Sequence, residues 1–134
     1  MIHYDKSFVT LHWDETCQAV WAEWKGYAEG DDFRGALDTG LHLLRTKGSS
    51  RWLADTRLMG PIRQIDQAWT NEDWLPRMAA AGTRWMALVL PQSSIARLSI
   101  KQILNRINGI DMVITNFPDL ESARAWLRNP TQTP

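Results

Sequence analysis

The side chains that could carry chemistry in this chain are few and scattered. The three histidines fall in the N-terminus, in a strand-like segment and in a helix-like segment, and they are His3, His12 and His42. None has a second histidine four residues away, so no metal-binding pair forms on a helix. Cys17 is the single cysteine, and the sequence places no base or helix N-terminus beside it to activate it. We therefore expect no metal site and no nucleophilic cysteine.

Serine is the remaining candidate nucleophile. Ser93 and Ser94 follow an apolar run and open a helical pattern, where a hydroxyl accepts hydrogen bonds from free backbone N–H groups. Capping explains both residues. The chain also lacks a phosphate-binding loop, a dinucleotide-binding glycine motif, a nucleophile elbow and a zinc-protease motif. The sequence therefore predicts a protein that is not an enzyme.

A binding site is the stronger prediction. One predicted strand ends in Asp55, Thr56 and Arg57, and another is followed by the segment 92–94, which is Gln92, Ser93 and Ser94. Ligands of open α/β sheets gather outside the carboxyl ends of parallel strands, so we expect both loops at one edge of the sheet. Asp55 and Arg57 can equally well pair with neighbouring charges, an alternative that the sequence leaves open.

A repeated motif predicts how these loops are positioned. The segment 50–54 (SRWLA) is echoed by the segment 83–87 (TRWMA), and each copy follows a glycine and opens an apolar run. A stretch with helical periodicity separates the two copies. Strand, helix and strand at this spacing describe one βαβ crossover. We therefore predict that 51–55 and 84–91 are parallel strands of one sheet, with Val89 fully buried.

The rest of the chain indicates the fold class. Alternating apolar residues in 8–13 and 18–27 predict an antiparallel hairpin. Apolar residues recur at helical spacing in four segments. The first is 33–47, and the second starts with Ile65, Ala68 and Trp69 on its inner face. The third follows Ser93, and the fourth begins at Pro118. Pro76 predicts a kink or a new helix with Pro76 in its first turn. With a last strand at 112–115, the order is β-β-α-β-α-β-α-β-α. This is a single α/β domain with a mixed sheet, a core over 8–128 and a flexible tail over 129–134.

Composition narrows the class of partner. The 134 residues are 44% apolar, and 15 basic side chains balance 15 acidic ones. No charge excess favours nucleic acid, and the longest apolar run is too short to span a membrane. The N-terminus lacks the pattern of a secretory signal, so we expect a cytoplasmic protein.

Tryptophan is the one unusually abundant residue. Most of the eight are expected to build the core and its rim. Trp69 and Trp74 stand among polar residues, and we expect Trp69 in the core and Trp74 partly exposed. The carboxylates of Asp66, Glu72 and Asp73 are expected on a solvated helix face.

Several phrases of the chain resemble one family. They are WLADTR at 52–57, NEDWLPR at 71–77, ALVLP at 87–91 and ARAWL at 123–127. Together with the element order, they resemble the STAS domains (sulphate transporter and anti-sigma factor antagonist), in a bacterial branch similar to the anti-sigma factor antagonist. The resemblance covers most of the chain from Phe8 to Leu127.

The resemblance implies a small regulatory or binding protein with no cofactor and no chemistry of its own. In anti-sigma factor antagonists, a partner kinase phosphorylates a serine early in the helix after the third strand. This chain has no hydroxyl anywhere in 57–66, and Thr56 stands at the strand end instead. The phosphorylation switch therefore does not carry over, and we expect no kinase to modify this helix.

Two hypotheses follow for the function. The first is a regulatory domain that binds another protein or a second copy of itself. Its surface would combine the loop after Asp55 with the helix that carries Trp69 and Trp74. The second is a small-molecule or lipid-binding module, which would need an apolar pocket above roughly 300 Å³ between the sheet and the helices.

Overall fold

Six strands form one mixed sheet in the order in which they occur along the chain. In this computed structural model, which describes residues 1–131, β1 to β3 pair antiparallel and β3 to β6 pair parallel. The strands are β1 (Ile2–Asp5), β2 (Val9–Asp14), β3 (Ala19–Trp24), β4 (Arg51–Asp55), β5 (Trp85–Val89) and β6 (Val113–Phe117). The predicted α/β class with a mixed sheet is confirmed.

The helices divide unequally between the two faces of this sheet. They are α1 (Gly30–Lys47), α2 (Gln64–Trp69), α3 (Leu75–Ala80), α4 (Ser94–Asn105) and α5 (Leu120–Arg128). Crossovers between successive parallel strands are right-handed, and strands added in one direction place their helices on the same face. Helices α1 to α4 therefore share a face, and α5, which follows the last strand, packs on the other face against β4, β5 and β6.

Alternation along the strands builds two apolar cores. On β4, Trp52 points towards the face of α1 to α4, and Leu53 points towards α5. The two copies of the repeated motif lie side by side, with Arg51 opposite Trp85 in a parallel register. Val89 is fully buried under α5. The predicted βαβ crossover and the burial of Val89 are both confirmed.

The chain ends differ from the prediction. The sequence analysis begins the sheet at the 8–13 segment, but Ile2–Asp5 is an additional edge strand that pairs with β2. Its residues are mostly exposed and its pairing is irregular, so its apolar pattern is too weak to reveal a strand. The last helix begins at Leu120 with Asp119 as its N-cap, and not at Pro118. Residues 132–134 of the predicted tail lie outside the described residues.

One helical segment changes its hydrogen bonding beside a proline. Thr70–Trp74 forms a π-helical turn between α2 and α3, in which the Leu75 N–H donates to the Thr70 carbonyl. Pro76 has no N–H, so it fits the first turn of α3 without losing a bond. The prediction of a new helix with Pro76 in its first turn is confirmed. The π turn also sets the direction in which Trp74 points.

Candidate protein-binding surface

The loops after β4 and β5 meet at the carboxyl edge of the sheet. The Gln92 N–H donates to the Arg57 carbonyl at 3.0 Å, and the Thr56 N–H donates to the Val89 carbonyl at 3.2 Å. The Thr56 hydroxyl donates to the same carbonyl at 2.5 Å. The geometry predicted for Asp55–Arg57 and Gln92–Ser94, with both loops at one edge, is confirmed.

Asp55 and Arg57 form a paired unit within the first of these loops. The Arg57 Nε and Nη2 atoms donate to the two carboxylate oxygens of Asp55 at 2.8 and 2.7 Å. The indole N–H of Trp21 donates to Asp55 at 3.2 Å. The Asp55 side chain is buried, and its hydrogen bond raises the pKa of the Arg57 guanidinium above its ordinary value. Asp55 therefore orients Arg57 and is not itself available to a ligand.

The network continues over the face of β2 and β3. The His12 ring stacks on Trp21 with ring centroids 4.2 Å apart, and His12 Nε2 lies 2.9 Å from the Glu23 carboxylate. Sequence reasoning missed this group because its members meet only through the pairing of His12 with Trp21 across two strands. Since each polar member has a partner here, the group holds β2, β3 and the loop after β4 together.

Of the two serines predicted to cap the helix after β5, Ser93 is the N-cap and Ser94 lies within the helix. The Ser93 side chain accepts a hydrogen bond from the Ala96 N–H at 3.3 Å and caps α4. Ser94 is the first residue of α4, and both it and Gln92 are exposed. All three side chains border the carboxyl edge of the sheet and can contact a bound molecule.

We expect Thr56 to remain unphosphorylated in the protein purified from its own host. Its side chain is 3% exposed, and its hydroxyl donates to the Val89 carbonyl. A kinase could reach this oxygen only by opening the junction between β4 and β5. Intact-mass measurement followed by peptide mapping tests the expectation, and stoichiometric phosphate on Thr56 would contradict it.

Four large apolar side chains are exposed beside these loops, and we call this group the apical patch. Each is more than half exposed. They are Leu58 at 60%, Ile65 at 62%, Ile95 at 64% and Leu98 at 55%. The sequence analysis places Ile65 on the inner face of its helix, and that prediction is wrong.

Hydrogen bonds between the segment 62–67 and α4 hold the apical patch together. The Ile62 N–H donates to the Ser99 hydroxyl at 3.0 Å, and the Gln67 side chain donates to Gln102 at 2.9 Å. Ile95 and Leu98 lie on the same side of α4 as Ser99 and Gln102, because helical neighbours three or four apart share a side. These bonds join the segment after β4 and α2 to α4, and Ile95 and Leu98 lie beside this contact.

Basic side chains outnumber acidic ones in the segments that carry the apical patch. The segments 56–65 and 90–110 contain no aspartate or glutamate. They contain five basic residues, namely Arg57, Arg63, Arg97, Lys101 and Arg106. Asp55 and Asp66 pair with Arg57 and Arg63 from just outside these segments. Exposed cations thus border an apolar centre.

Of the two tryptophans expected at this surface, Trp74 is buried and Trp69 is only partly exposed. Trp74 is 3% exposed, donates its indole N–H to the Leu37 carbonyl at 2.9 Å, and packs edge-on against Trp52. The expected partial exposure of Trp74 is therefore wrong. Trp69 is half-buried against the core, with the guanidinium groups of Arg34 and Arg77 over its ring. Both belong to the face of α1 to α4, whereas Asp55 points to the other face.

Asp66 is also placed differently from the prediction. Glu72 and Asp73 are exposed as expected, but the Asp66 side chain is fully buried. It accepts hydrogen bonds from the Gly30 N–H at 3.0 Å and from Arg34 and Arg63 at 3.2 Å each. Burial by itself would raise the pKa of Asp66, but these three donors lower it below its ordinary value. Asp66 therefore joins α2 to the start of α1 as an ionised carboxylate.

The apolar cavity between the sheet and helices α1 to α4 has a small volume. A cavity of about 80 Å³ lies between the sheet and α1 to α4, with an apolar lining that includes Trp24, Trp52, Met86 and Ile103. Pockets that hold small molecules usually measure about 300–1,000 Å³. The cavity is too small for a lipid or a drug-sized ligand.

Cys17 and the acidic side chains offer little chemistry. Cys17 is buried, and this burial raises the pKa of its thiol, which keeps the sulfur protonated. Within residues 1–131, no group of three histidine, cysteine or acidic side chains is placed to hold a metal ion.

In the same range, no helix has both the length and the apolar character needed to cross a bilayer.

No family profile, no curated protein and no solved structure matches the chain.

Proposed function

We propose that this chain is a non-enzymatic, STAS-like regulatory domain that binds a partner protein through the apical patch. The observation that carries the proposal is the patch itself, with its four exposed apolar side chains at the carboxyl edge of the sheet. Single exposed apolar residues are ordinary, but a group of them inside a polar rim is typical of protein interfaces. Arg57, Gln92, Ser93 and Ser94 supply part of that rim.

The charge around the patch indicates the chemistry of the partner. Since the exposed cations Arg97 and Lys101 stand beside Leu98 on α4 and no carboxylate lies in segment 90–110, a complementary surface is acidic. We infer a protein partner that inserts apolar side chains between Leu58, Ile95 and Leu98 and places carboxylates around them. Such binding weakens as salt is added, because exposed charges are screened beyond about 8–10 Å.

The patch is preorganised for such contacts. The bonds from Ile62 to Ser99 and from Gln67 to Gln102 already hold α2 against α4. A preformed surface loses little conformational entropy on binding, which leaves more of the contact energy for affinity. The alternative of a small-molecule or lipid carrier finds less support, because the apolar cavity beneath α1 to α4 measures only about 80 Å³ and the cleft of about 340 Å³ beside β6 is open to solvent.

The proposed role does not use a phosphorylation switch. The only hydroxyl near the position of the phosphorylated serine in anti-sigma factor antagonists is that of Thr56, which is buried and bonded. Recognition would depend instead on the shape and charge of the apical patch. Regulation would then act on the partner or on its concentration.

Substituting Leu98→Glu is expected to abolish capture of the partner from the native host. The change removes an apolar anchor and sets a carboxylate against an acidic surface, and the loss of an interface anchor commonly costs about 2 kcal/mol or more, a factor of roughly 30 in affinity. The folded state should be unaffected because Leu98 is 55% exposed. Affinity capture with quantitative mass spectrometry measures the change.

Ile2→Glu supplies the matched control. Ile2 is 58% exposed and lies on β1, away from the apical patch. A protein that depends on the patch is retained by wild type and by Ile2→Glu, and is depleted at least about tenfold on Leu98→Glu. It should also elute at raised salt. If wild type, Leu98→Glu and Ile2→Glu all retain every captured protein equally, the proposed function is wrong.

A further inference from the structure

The outer edge of β6 is built to accept another strand. The Val113 N–H donates to the Arg84 carbonyl at 2.8 Å, and the Phe117 carbonyl accepts from the Leu90 N–H at 3.1 Å, so these residues bond towards the β5 side. Successive residues of a strand turn their backbone groups to opposite sides. Ile114 and Asn116 therefore direct their N–H and C=O groups outward, where no strand formed by residues 1–131 lies.

The two edges of the sheet differ in how they are protected. The β1 edge has four residues, an irregular register between Ile2 and Tyr4, and the charges of Asp5 and Lys6 at its end. Short length, irregular pairing and charge are devices that prevent edge-to-edge association. The β6 strand, VITNF, contains no charged residue and no proline, and it pairs with β5 in an unbroken register. The β6 edge therefore differs from the β1 edge in its regular register and in the absence of charge within the strand.

Apolar side chains border this edge on both faces of the sheet. On the side of α4, an open cleft of about 340 Å³ is lined by Leu104, Ile107, Met112, Ile114 and Asn116. On the side of α5, Val113 and Phe117 are only partly covered. A strand added at this edge would therefore bury apolar surface above and below it, in addition to pairing the backbone.

We propose that β6 pairs antiparallel with β6 of a second copy of this chain. A two-fold axis at Thr115 places Ile114 of each copy opposite Asn116 of the other, and each such pair exchanges both backbone hydrogen bonds. This register uses every outward-facing group of Ile114 and Asn116. The sheet then continues across both copies.

A second copy suits this edge because the strand is its own complement. An isologous contact uses the same patch on both subunits and closes after two. The five residues of each VITNF strand carry no charge, so no like charges face each other within the paired strands. The apical patch lies at the carboxyl edge of the sheet, so it remains open in such a dimer. The dimer contact and the proposed partner contact are therefore independent.

Cross-linking tests the register. Thr115 falls in a non-hydrogen-bonded pair with its own counterpart, where the Cα atoms approach to about 4.5 Å, within the range that a disulfide spans. Thr115→Cys should give a covalent dimer on mild oxidation, seen on a non-reducing gel and by intact mass. His3→Cys, on the β1 edge, is the control and should remain monomeric on the gel. Equal cross-linking of the two variants, or none at position 115, would overturn the proposed register.

Charge substitution tests the dimer itself by sedimentation velocity. Wild type should sediment as a dimer, and Thr115→Lys should weaken the dimer at least about tenfold because two like charges then face each other. An equimolar mixture of Thr115→Lys and Thr115→Glu should restore it. A wild type that stays monomeric at all concentrations, or a dimer indifferent to Thr115→Lys, would overturn the proposal. Leu98→Glu should remain dimeric, which separates this outcome from failure of the proposed function.

Discussion

Replacing Trp74 by alanine is expected to lower the free energy of unfolding by about 3–5 kcal/mol. The side chain is 3% exposed, and its loss leaves a hole beside Trp52, whose ring centroid lies 5.1 Å away. It also removes the hydrogen bond from the indole to the Leu37 carbonyl. For a domain of this length, the thermal midpoint should fall by about 10–18 °C. Differential scanning calorimetry or thermal circular dichroism measures the shift.

Trp74→Phe separates the contribution of aromatic packing from that of the indole hydrogen bond. It keeps an aromatic ring against Trp52 but removes the indole N–H, so we expect a smaller loss of about 1 kcal/mol. Size-exclusion chromatography of both variants should show the same oligomeric state as wild type. An unchanged midpoint in Trp74→Ala, combined with dissociation of an assembly, would instead make Trp74 an interface residue.

Replacing Asp66 by asparagine is expected to cost about 3 kcal/mol of stability at neutral pH. Asparagine keeps the shape of the side chain but removes the charge that Arg34 and Arg63 face, and it leaves both guanidinium groups without a carboxylate there. The thermal midpoint should fall by about 10 °C. The Gly30 N–H would keep an acceptor only if the amide oxygen turns towards it.

The pH dependence of this effect has a defined sign. The pKa of Asp66 is lower in the folded protein than in the unfolded chain, where an aspartate titrates near about 3.9. Its contribution is therefore present above that value and disappears as the pH falls through the folded-state pKa. The midpoints of wild type and Asp66→Asn should converge as the pH is lowered below about 4.

Asp73→Asn provides the control for this experiment. Asp73 pairs with Arg77 on the surface, where the ion pair is exposed to solvent. Exposed pairs contribute about 0–1 kcal/mol, so this variant should melt close to wild type at every pH. Equal destabilisation by both substitutions would show that the buried position of Asp66 has no special effect.

The two proposed contacts use different parts of the molecule. The apical patch joins the loop after β4 to α2 and α4, whereas β6 ends the sheet on its parallel side. A dimer through β6 would present two apical patches at once, so that a partner with two acidic segments gains avidity. Variants at Leu98 and Thr115 therefore test binding and assembly separately.

Patterns within single segments were sufficient to predict most of the framework. The repeat around Arg51 and Arg84 predicted the parallel pair and its neighbours, because apolar periodicity and length limit a βαβ unit to few arrangements. Residues that end or begin helices also follow the preferences of their own segments. Lys47 ends α1, and Gly48 follows it in the left-handed conformation, with φ at 62°. Ser93 caps α4.

The placement of individual polar and apolar side chains was decided by distant contacts. Trp74 stands among polar neighbours in the sequence, yet the π turn before Pro76 directs it at Trp52 and at the Leu37 carbonyl. The sequence around Asp66 predicts a solvated helix face. Asp66 is buried because α1 packs against it, with the Gly30 N–H donating to its carboxylate. Local polarity describes a residue's neighbours along the chain, while burial depends on what packs from elsewhere.

At the candidate surface, too, local patterns predict some features and distant contacts decide others. The sequence by itself determined that the loops carrying Asp55–Arg57 and Gln92–Ser94 leave one edge of the sheet, because parallel strands end on the same side. Only the tertiary structure exposed Leu58, Ile65, Ile95 and Leu98, in the segments that follow β4 and β5. The helical period at Ile65 identifies an apolar position but not its direction. That direction depends on how α2 is rotated against α1 and α4, through Asp66 and Gln67.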